Sequence, residues 1–272
     1  MQTSIVIPVF NRAHLVAAAI ESALAQTVPC EVLLVDHGST DDILTVVARY
    51  GKRIRYIRRE VDRGPIACWI DGAQQATGEY LHFTYDDDWL QPTFIERCLA
   101  SFTDDVAFVY TRARLHGGSE DKRVILSHPG GRRPIADIVC SLLSSRLTIS
   151  PGCALFRRKD VLNNLLSEVP RASGIYGKGS GVGEDLLLFL LTSLHYPNYV
   201  HVPEPLADFL AHSGSITVNA HQTGRNTLLA QAYAVAKSHY AAQPNAISAP
   251  TGLSRLLFKL RWAALARLSN IR

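Results

Sequence analysis

Short apolar runs alternate with amphipathic stretches along the first 110 residues of the chain. Residues 4–10 and 31–36 are rich in β-branched and other apolar side chains, which is typical of strands buried on both faces in a parallel sheet. The same pattern predicts three further strands, at 54–58, 80–85 and 106–111. Between the strands, apolar residues recur at helical spacing and predict four helices, at 14–26, 41–50, 65–76 and 92–102.

The order of these elements predicts the fold class. A regular alternation of strands and helices is typical of an α/β protein with a doubly wound, mostly parallel sheet flanked by helices. Ligands in such sheets bind at the carboxyl ends of the strands. Polar segments follow several of the predicted strands, and we expect them to converge on one edge of the sheet: Phe10–Arg12, Asp36, Arg63–Gly64 and Asp86–Asp88.

The second half of the chain is less regular. Its apolar segments predict strands at 124–126 and 152–156 and helices at 134–144, 159–166 and 186–194. Residues 174–183 contain five glycines, which predicts a mobile loop. The glycine spacing matches neither of the two common phosphate-binding loops, so we do not assign this segment to a nucleotide site.

Composition indicates a globular protein with a sizeable core, since 47% of the 272 residues are hydrophobic and 19% are charged. The net charge of +4 suits an anionic substrate or membrane surface, while the sequence gives little support for a nucleic-acid partner. Five scattered cysteines without CxxC spacing argue against a disulfide framework and favour a reducing, cytoplasmic environment. We expect neither a signal peptide nor a membrane span.

Residues 253–272 form a segment with five basic side chains and no acid. Apolar residues recur in it at helical spacing, although Trp262 falls off the apolar face. Two interpretations stay open. The segment is either a helix on an anionic membrane, which would place the protein peripherally on the inner face of the cytoplasmic membrane, or an amphipathic helix docked on the domain or on a partner.

The strand predicted at 80–85 leads directly into three consecutive carboxylates, Asp86, Asp87 and Asp88. Like charges this close raise each other's pKa unless a cation or water screens them. Carboxylates at the carboxyl end of a buried strand suit a hard divalent cation such as Mg²⁺ or Mn²⁺, which would in turn hold phosphate oxygens. The alternative is a solvated turn that caps the following helix.

Six motifs together resemble one protein family. They are Ser4-Ile-Val-Ile-Pro-Val-Phe-Asn-Arg12, Glu21–Thr27, Val35-Asp-His-Gly-Ser-Thr-Asp41, Arg63-Gly-Pro65, Gly78-Glu-Tyr80 and Asp86-Asp-Asp-Trp-Leu-Gln-Pro92. In order and spacing they closely resemble the GT-A glycosyltransferases of family 2. The resemblance is strong over about the first 110 residues and thinner to about residue 217.

The resemblance implies the GT-A fold, with a nucleotide-sugar-binding half at 1–110, an acceptor-binding half at 111–220 and a C-terminal helical extension at 221–272. It implies an inverting enzyme that moves a sugar from a nucleotide-diphosphate donor, most simply a UDP-sugar, to a hydroxyl. The acceptor would be a glycan or lipid-linked glycan of bacterial surface polysaccharide assembly, and the cofactor would be Mn²⁺ or Mg²⁺.

The resemblance also implies roles for residues on the donor side. Pro8 and Phe10 would flank the nucleobase, and Asp36 would accept a hydrogen bond from it, as expected for the imide of uracil. Arg63 lies where the family often contacts the nucleotide, and Arg12 belongs to the same donor-binding group.

Four further residues take roles in the chemistry by the same resemblance. Asp87 occupies the metal-ligand position of the family's DxD motif, and Asp86 is a donor contact. His212 lies in a segment that looks like the loop closing over the diphosphate, as a donor contact and candidate metal ligand. Asp185 is the expected general base, because a carboxylate within hydrogen-bond reach can take the proton of the attacking hydroxyl.

Two positions depart from the family pattern. His37 replaces the second carboxylate of the usual acidic pair, so one of the two carboxylates that the family pattern places beside base and ribose is absent here. Tyr85 replaces the first carboxylate of DxD, which gives a motif similar to the Thr-Asp-Asp variant of the family's spore-coat relative.

Two rival functions follow from the same residues. One is a non-catalytic module that binds a sugar nucleotide. The other is a nucleotidyltransferase that makes sugar nucleotides, which is disfavoured because no Gly-rich, basic phosphate loop follows the first strand.

Overall fold

The computed structural model describes residues 2–117, 123–126, 129–167, 181–212, 214–215, 224 and 226–248. The predicted basic helix at 253–272 and most of the predicted mobile loop at 174–183 lie outside these residues. Within the described ranges, no helix combines the length and the apolar character that crossing a bilayer requires.

The first half of the chain contains the predicted alternation. Its elements are β1 (Thr3–Val9), α1 (Val16–Leu24), β2 (Cys30–Asp36), α2 (Ile43–Tyr50), β3 (Arg55–Arg58), α3 (Pro65–Gln75) and β4 (Tyr80–Phe83). Each one confirms a predicted element, with ends that differ by a few residues. Pro65 begins α3, where its missing N–H costs nothing because the first turn of a helix has no partner for that donor.

The later elements include every strand and helix that the sequence predicts in the second half outside the tail. They are β5 (Trp89–Leu90), α4 (Phe94–Leu99), β6 (Val106–His116), β7 (Arg123–Ile125), β8 (Gly131–Pro134), α5 (Ile135–Leu143), β9 (Ala154–Arg157), α6 (Arg158–Asn164), α7 (Glu184–Thr192), β10 (Asn198–Leu210) and α8 (Asn226–Ala241). Short 3-10 helices lie at Gly51–Arg53, Pro151–Cys153 and Ser193–His195.

The strands form one sheet with the order β3-β2-β1-β4-β9-β6-β10-β5, and β7 and β8 add to β6 and β10. Strands β1 to β4 are parallel, as predicted. Strand β9 is antiparallel to both neighbours and separates β4 from β6. The α/β class with a Rossmann-like parallel block is therefore confirmed, but the parallel series does not continue directly from β4 to the fifth predicted strand.

Strand β10 is the longest strand among the described residues, and the sequence pattern does not predict it. Pro203, Glu204 and Pro205 interrupt its apolar residues and hide the strand. The pairing with β6 is irregular at this point, with register shifts between Val202 and Pro205 and again before Ala207. Such bulges accommodate proline in a sheet, because the unpaired residues need no ladder hydrogen bond.

Helix α7 packs against the sheet and forms part of the core. Its residues Leu187–Leu190 are almost completely buried, and Phe189 contacts the rings of Phe108 and Phe156 at centroid distances of 4.9 and 5.0 Å. Burying one such side chain contributes roughly 1.5–3 kcal/mol. The start of α7 is thereby fixed relative to the strands, which matters because Asp185 lies in its first turn.

Four of the five cysteines, at 68, 98, 140 and 153, are buried. This confirms the expectation that most cysteines are small core residues.

Candidate active site

The loops after β1, β2 and β4 meet at the carboxyl edge of the parallel block. The side-chain oxygen of Asn11 accepts the backbone N–H of Thr40 at 2.8 Å, and the backbone N–H of Ala13 donates to Asp41 at 2.8 Å. Arg12 reaches from the same loop to the carboxylates after β4. The predicted convergence of polar segments on one edge is therefore present for these three loops.

Asp87 lies at the centre of this cluster. Its Oδ2 atom accepts a hydrogen bond from Nη1 of Arg12 at 2.8 Å and lies 2.9 Å from Nε2 of His212. The other guanidinium nitrogen of Arg12 donates to the backbone oxygen of Gly214 at 3.0 Å. Arg12 thus links the carboxylates to the segment that contains His212. The cluster of Arg12, Asp87 and His212 consists of residues that the sequence analysis assigned to donor or metal binding.

The flanking carboxylates differ in their surroundings. Asp86 is 3.3 Å from Nη1 of Arg12, and burial raises its pKa to about 7, with Arg12 opposing this shift and Asp87 adding to it. Asp88 is buried, and its Oδ1 accepts the backbone N–H of Leu210 at 2.9 Å. Burial and then Asp87 raise the pKa of Asp88. Asp88 therefore ties β4 to the end of β10, whereas Asp86 and Asp87 face the cluster.

Asp36 is fully buried at the end of β2, and protein groups engage both of its oxygens. Oδ1 accepts the backbone N–H and the hydroxyl of Ser39, at 2.9 and 2.6 Å. Oδ2 accepts the hydroxyl of Tyr56 at 2.6 Å and Nη1 of Arg58 at 2.7 Å. A nucleobase would have to share one of these oxygens, so the base contact of Asp36 stays a prediction. Arg58 is a further residue next to Asp36.

His37, just after β2, contacts the loop that follows β3. Its Nδ1 atom lies 3.2 Å from Oδ1 of Asp62, and that oxygen also accepts the backbone N–H of Gly64 at 2.7 Å. Burial lowers the pKa of His37, and Asp62 opposes the shift. Its Nε2 atom is buried and has no hydrogen-bond partner within the described part of the chain. Arg63, between these two loop residues, is exposed.

The two residues predicted to flank the nucleobase differ in accessibility. Phe10 is 42% exposed just beyond β1. Pro8 is buried within β1, opposite Val35 of β2. Phe10 therefore offers an accessible ring, Pro8 offers little exposed surface, and the base contacts of both residues stay predictions.

Asp185 lies in the first turn of α7 with both oxygens hydrogen-bonded. Oδ1 accepts the backbone N–H groups of Gly183 and Leu186, at 2.9 and 2.7 Å. Oδ2 accepts the hydroxyl of Tyr233 at 3.3 Å. Burial raises the pKa of Asp185 to about 7, and the two backbone donors oppose this shift. A carboxylate with a pKa near neutrality suits a general base.

Tyr85 lies close to both the carboxylates that follow β4 and the candidate base Asp185. Its hydroxyl lies 3.1 Å from Oγ of Ser150, and its ring stacks on Trp69 at 5.7 Å between centroids. Burial, followed by the negative charge of Asp185, raises the pKa of Tyr85. The residue that replaces the first carboxylate of DxD therefore packs near the candidate base.

Two residues of the site were not singled out from the sequence. Tyr233 reaches Asp185 from 48 positions along the chain, and its helix has no strong apolar stripe that would predict its docking. Arg58 ends a strand as an ordinary charged residue. The only available signal was its position at the carboxyl edge, where Asp36 also lies.

The described part of the chain has no group of three or more His, Cys, Asp or Glu side chains that could hold a metal ion by itself. Asp87 and His212 nevertheless form a carboxylate–imidazole pair, whose oxygen and nitrogen are 2.9 Å apart. This donor set fits a divalent cation that takes its remaining ligands from diphosphate oxygens and water. Arg12 would have to release Oδ2 of Asp87 for such an ion to bind there.

These groups lie at the carboxyl edge of a parallel α/β block. This arrangement defines the class of protein as one with a GT-A-type fold. The sequence model for glycosyl transferase family 2 matches residues 4–163, more than half of the 272 residues. The chain belongs to this family.

Relatives share only part of their length with this chain. An uncharacterized glycosyltransferase of Rickettsia conorii is 36% identical over 131 residues, a match that covers 47% of this chain and 21% of that protein. A chondroitin synthase of Pasteurella multocida is 38% identical over 116 residues, which cover 41% of this chain and 12% of the synthase. The match spans about a fifth or less of these curated relatives.

Solved structures share the fold at low identity. Staphylococcus aureus TarS 1–349, solved in complex with UDP-GlcNAc, has a TM-score of 0.63 and 19% identity, and the match covers 79% of this chain and 60% of that one. Mycobacterium tuberculosis glucosyl-3-phosphoglycerate synthase, solved with Mn²⁺, UDP and phosphoglyceric acid, has a TM-score of 0.58 and 18% identity over 89% of this chain and 79% of that one. Both support the GT-A assignment.

Proposed function

We propose that the protein is an inverting glycosyltransferase that moves a sugar from a UDP-sugar to a hydroxyl of a glycan or lipid-linked glycan. The observation that carries the proposal is that a candidate base and a polar cluster both lie close to the residues that follow β4, since Tyr85 is near Asp185 and Asp87 belongs to the cluster. Asp185 has a pKa near neutrality and suits a base, while Asp87, His212 and Arg12 form a polar cluster suited to a diphosphate.

The donor half would be formed by residues 1–110. Phe10 offers an exposed ring for the base, and Asp36 would accept from the imide through an oxygen it shares with Arg58 or Ser39. Asp86 and the exposed Arg63 would contact ribose or phosphate. Support for UDP comes from the two GT-A neighbours, which were solved with UDP-GlcNAc and with UDP.

The proposed cofactor is Mn²⁺ or Mg²⁺, held by Asp87 and His212 together with donor oxygens. When bound, the ion would act as a Lewis acid that neutralises the charge on the leaving diphosphate. The imidazole favours Mn²⁺ over Mg²⁺, because Mg²⁺ prefers oxygen ligands. Arg12 and Arg63 carry fixed positive charge that would stabilise the same leaving group.

In the proposed reaction, Asp185 takes the proton of the acceptor hydroxyl. The hydroxyl oxygen forms a bond to the anomeric carbon while the bond from that carbon to the diphosphate oxygen breaks, and this single displacement inverts the anomeric configuration. Oδ1 of Asp185 is held by two backbone N–H groups, so Oδ2 is the oxygen with capacity to accept the proton.

The acceptor would bind to the half formed by residues 111–220, beside α7. A polymeric acceptor is supported by the relatives, among them the chondroitin synthase and a poly(ribitol-phosphate) beta-glucosyltransferase of Bacillus spizizenii, and a lipid-linked glycan is the alternative acceptor that we propose. We also propose a cytoplasmic location with peripheral membrane contact through 253–272. Deleting these residues should abolish binding to anionic vesicles, and unchanged binding would contradict this part.

The test of the proposed function is a screen of nucleotide sugars for UDP release, with and without Mn²⁺. We expect release from at least one UDP-sugar and a strong dependence on the metal. A non-catalytic binding module would bind UDP without turnover. A nucleotidyltransferase would instead release pyrophosphate when given a nucleoside triphosphate and a sugar phosphate.

A further inference from the structure

Helix α8 contributes a side chain to the candidate base. The hydroxyl of Tyr233 donates to Oδ2 of Asp185 at 3.3 Å, across 48 positions of the chain. The hydroxyl keeps its proton, because the charge of Asp185 and burial raise the pKa of Tyr233 far above its ordinary value. The tyrosine therefore acts as a donor to the carboxylate rather than as a competing base.

The docking of α8 fixes this contact. Ala232, Ala236 and Tyr240 are almost fully buried on its inner face. Gly183, immediately before α7, has a φ of 99°, and a Cβ placed there would lie 3.2 Å from the backbone oxygen of Ala232. The absence of a side chain at Gly183 thus permits the close approach of α8 to the start of α7, which places Tyr233 beside Asp185.

The charges around Asp185 give the contact a chemical effect. Its pKa is raised mainly by burial and further by the neighbouring carboxylate of Glu184. The backbone donors of Leu186 and Gly183 and the Tyr233 hydroxyl oppose this by stabilising the ionised form. Tyr85 also lies near Asp185, but its hydroxyl is paired with Ser150. Among the described residues, Tyr233 is thus the side chain that donates to the oxygen that would receive the proton.

We propose that Tyr233 is a positioning residue for Asp185, so that helix α8 is an integral part of the catalytic site. The proposal rests on the role assigned to Asp185 in the function proposed above. Tyr233 orients Oδ2 through one hydrogen bond and leaves that oxygen a second lone pair for the acceptor proton.

The first test compares the pH dependence of UDP release from UDP-N-acetylglucosamine and UDP-glucose for the wild type and Tyr233→Phe. Loss of a donor to the carboxylate disfavours its ionised form, so the acid limb of kcat should move up by about one pH unit. UDP release at pH 6 should then fall about tenfold and at pH 9 less than about twofold. An equal loss at every pH would indicate a merely structural role and overturn the proposal.

Tyr240→Phe is the matched control. Tyr240 lies on the same helix and is buried, and its hydroxyl accepts the backbone N–H of Ile247 at 2.9 Å, away from Asp185. This variant should lose a hydrogen bond and some thermal stability but keep the wild-type pH profile. A similar shift of the acid limb in both variants would also overturn the proposal.

A second measurement does not depend on turnover. Carbon-13 NMR of aspartate-labelled protein, with the Asp185 signal assigned from Asp185→Asn, gives the pKa of this carboxyl group directly. We expect about 7 in the wild type and a value about one unit higher in Tyr233→Phe. Equal values would overturn the role of Tyr233. A shifted value in a protein that hydrolyses no nucleotide sugar would instead overturn only the proposed function.

Discussion

The Nε2 atom of His212 lies 2.9 Å from Oδ2 of Asp87, although 125 positions separate the two residues. Asp87 follows the parallel strand β4, and His212 follows β10, a strand of the other half of the sheet. Their contact is therefore a direct link between the two halves. Because Arg12 also reaches Asp87 from the loop after β1, segments far apart in sequence must fold together before the cluster forms.

Replacing either member of this pair should remove the metal response. We expect Asp87→Asn and His212→Ala each to lower Mn²⁺-stimulated UDP release by about a hundredfold, because the charge on the diphosphate loses its Lewis acid. His195→Ala, at an exposed position after α7, is the control and should retain activity. Thermal stabilisation by UDP that responds equally to Mn²⁺ in the wild type and in both variants would contradict the metal role of the pair.

The rate of UDP release should depend on the ionisation of Asp185. Burial raises the pKa of this group to about 7, and the base acts only when ionised. Activity should therefore rise by about tenfold per pH unit below pH 7 and level off above it. A pH–rate profile for kcat that is flat from about pH 5 to pH 9 would contradict the assignment, because an ordinary exposed carboxylate would be ionised throughout.

Asp36 should matter for stability as well as for donor binding. Asp36→Asn removes the charge that accepts from Arg58 and Tyr56 in a fully buried position, and we expect a loss of about 1–3 kcal/mol in the free energy of unfolding. Asp42→Asn, at an exposed helix start without a side-chain cap bond, should change it by less than about 0.5 kcal/mol. Chemical denaturation measures both, and equal stabilities of the two variants would count against the buried network.

Substitution of Gly183 tests the docking of α8. Gly183→Ala and Gly51→Ala both place a side chain at a positive φ, and backbone strain should cost each about 1–3 kcal/mol. Only the Cβ at 183 meets the oxygen of Ala232, whereas at 51 it meets open space. We therefore expect Gly183→Ala alone to lower kcat for UDP release, at a temperature where both variants are folded. Equal kcat values would show that α8 is not needed near the base.

The sequence predicted the parallel block and the convergence of polar loops on its carboxyl edge, because the signals for both are local. Apolar runs with turn residues between them define β1 to β4, and the polar residues that follow parallel strands must share one edge. Asp87 and Asp185 could be singled out because each lies in a short acidic motif that resembles one of the family's. The contact of Arg12 with Asp87 and the role of Tyr233 were not predicted, since both depend on how separate elements pack.

The misses have physical causes as well. Pro203 and Pro205 interrupt strand β10. A sheet tolerates proline within a strand at bulges, and the local sequence pattern does not predict these bulges. The direction of β9 is set by its pairing with β4 and β6, and the apolar run alone is equally compatible with either direction. The resemblance implies only a nucleobase contact for Asp36, and its bonds from Arg58, Tyr56 and Ser39 form only on folding.

The most direct test of the proposed transferase activity is a side-by-side measurement of UDP binding and UDP release for the wild type and Asp185→Asn. The substitution keeps the shape of the side chain but removes the base, so we predict a loss of about 10² to 10⁴ in kcat with UDP affinity changed less than about twofold. Undiminished turnover in Asp185→Asn, or a wild type that binds UDP and releases none from any UDP-sugar, would contradict the account.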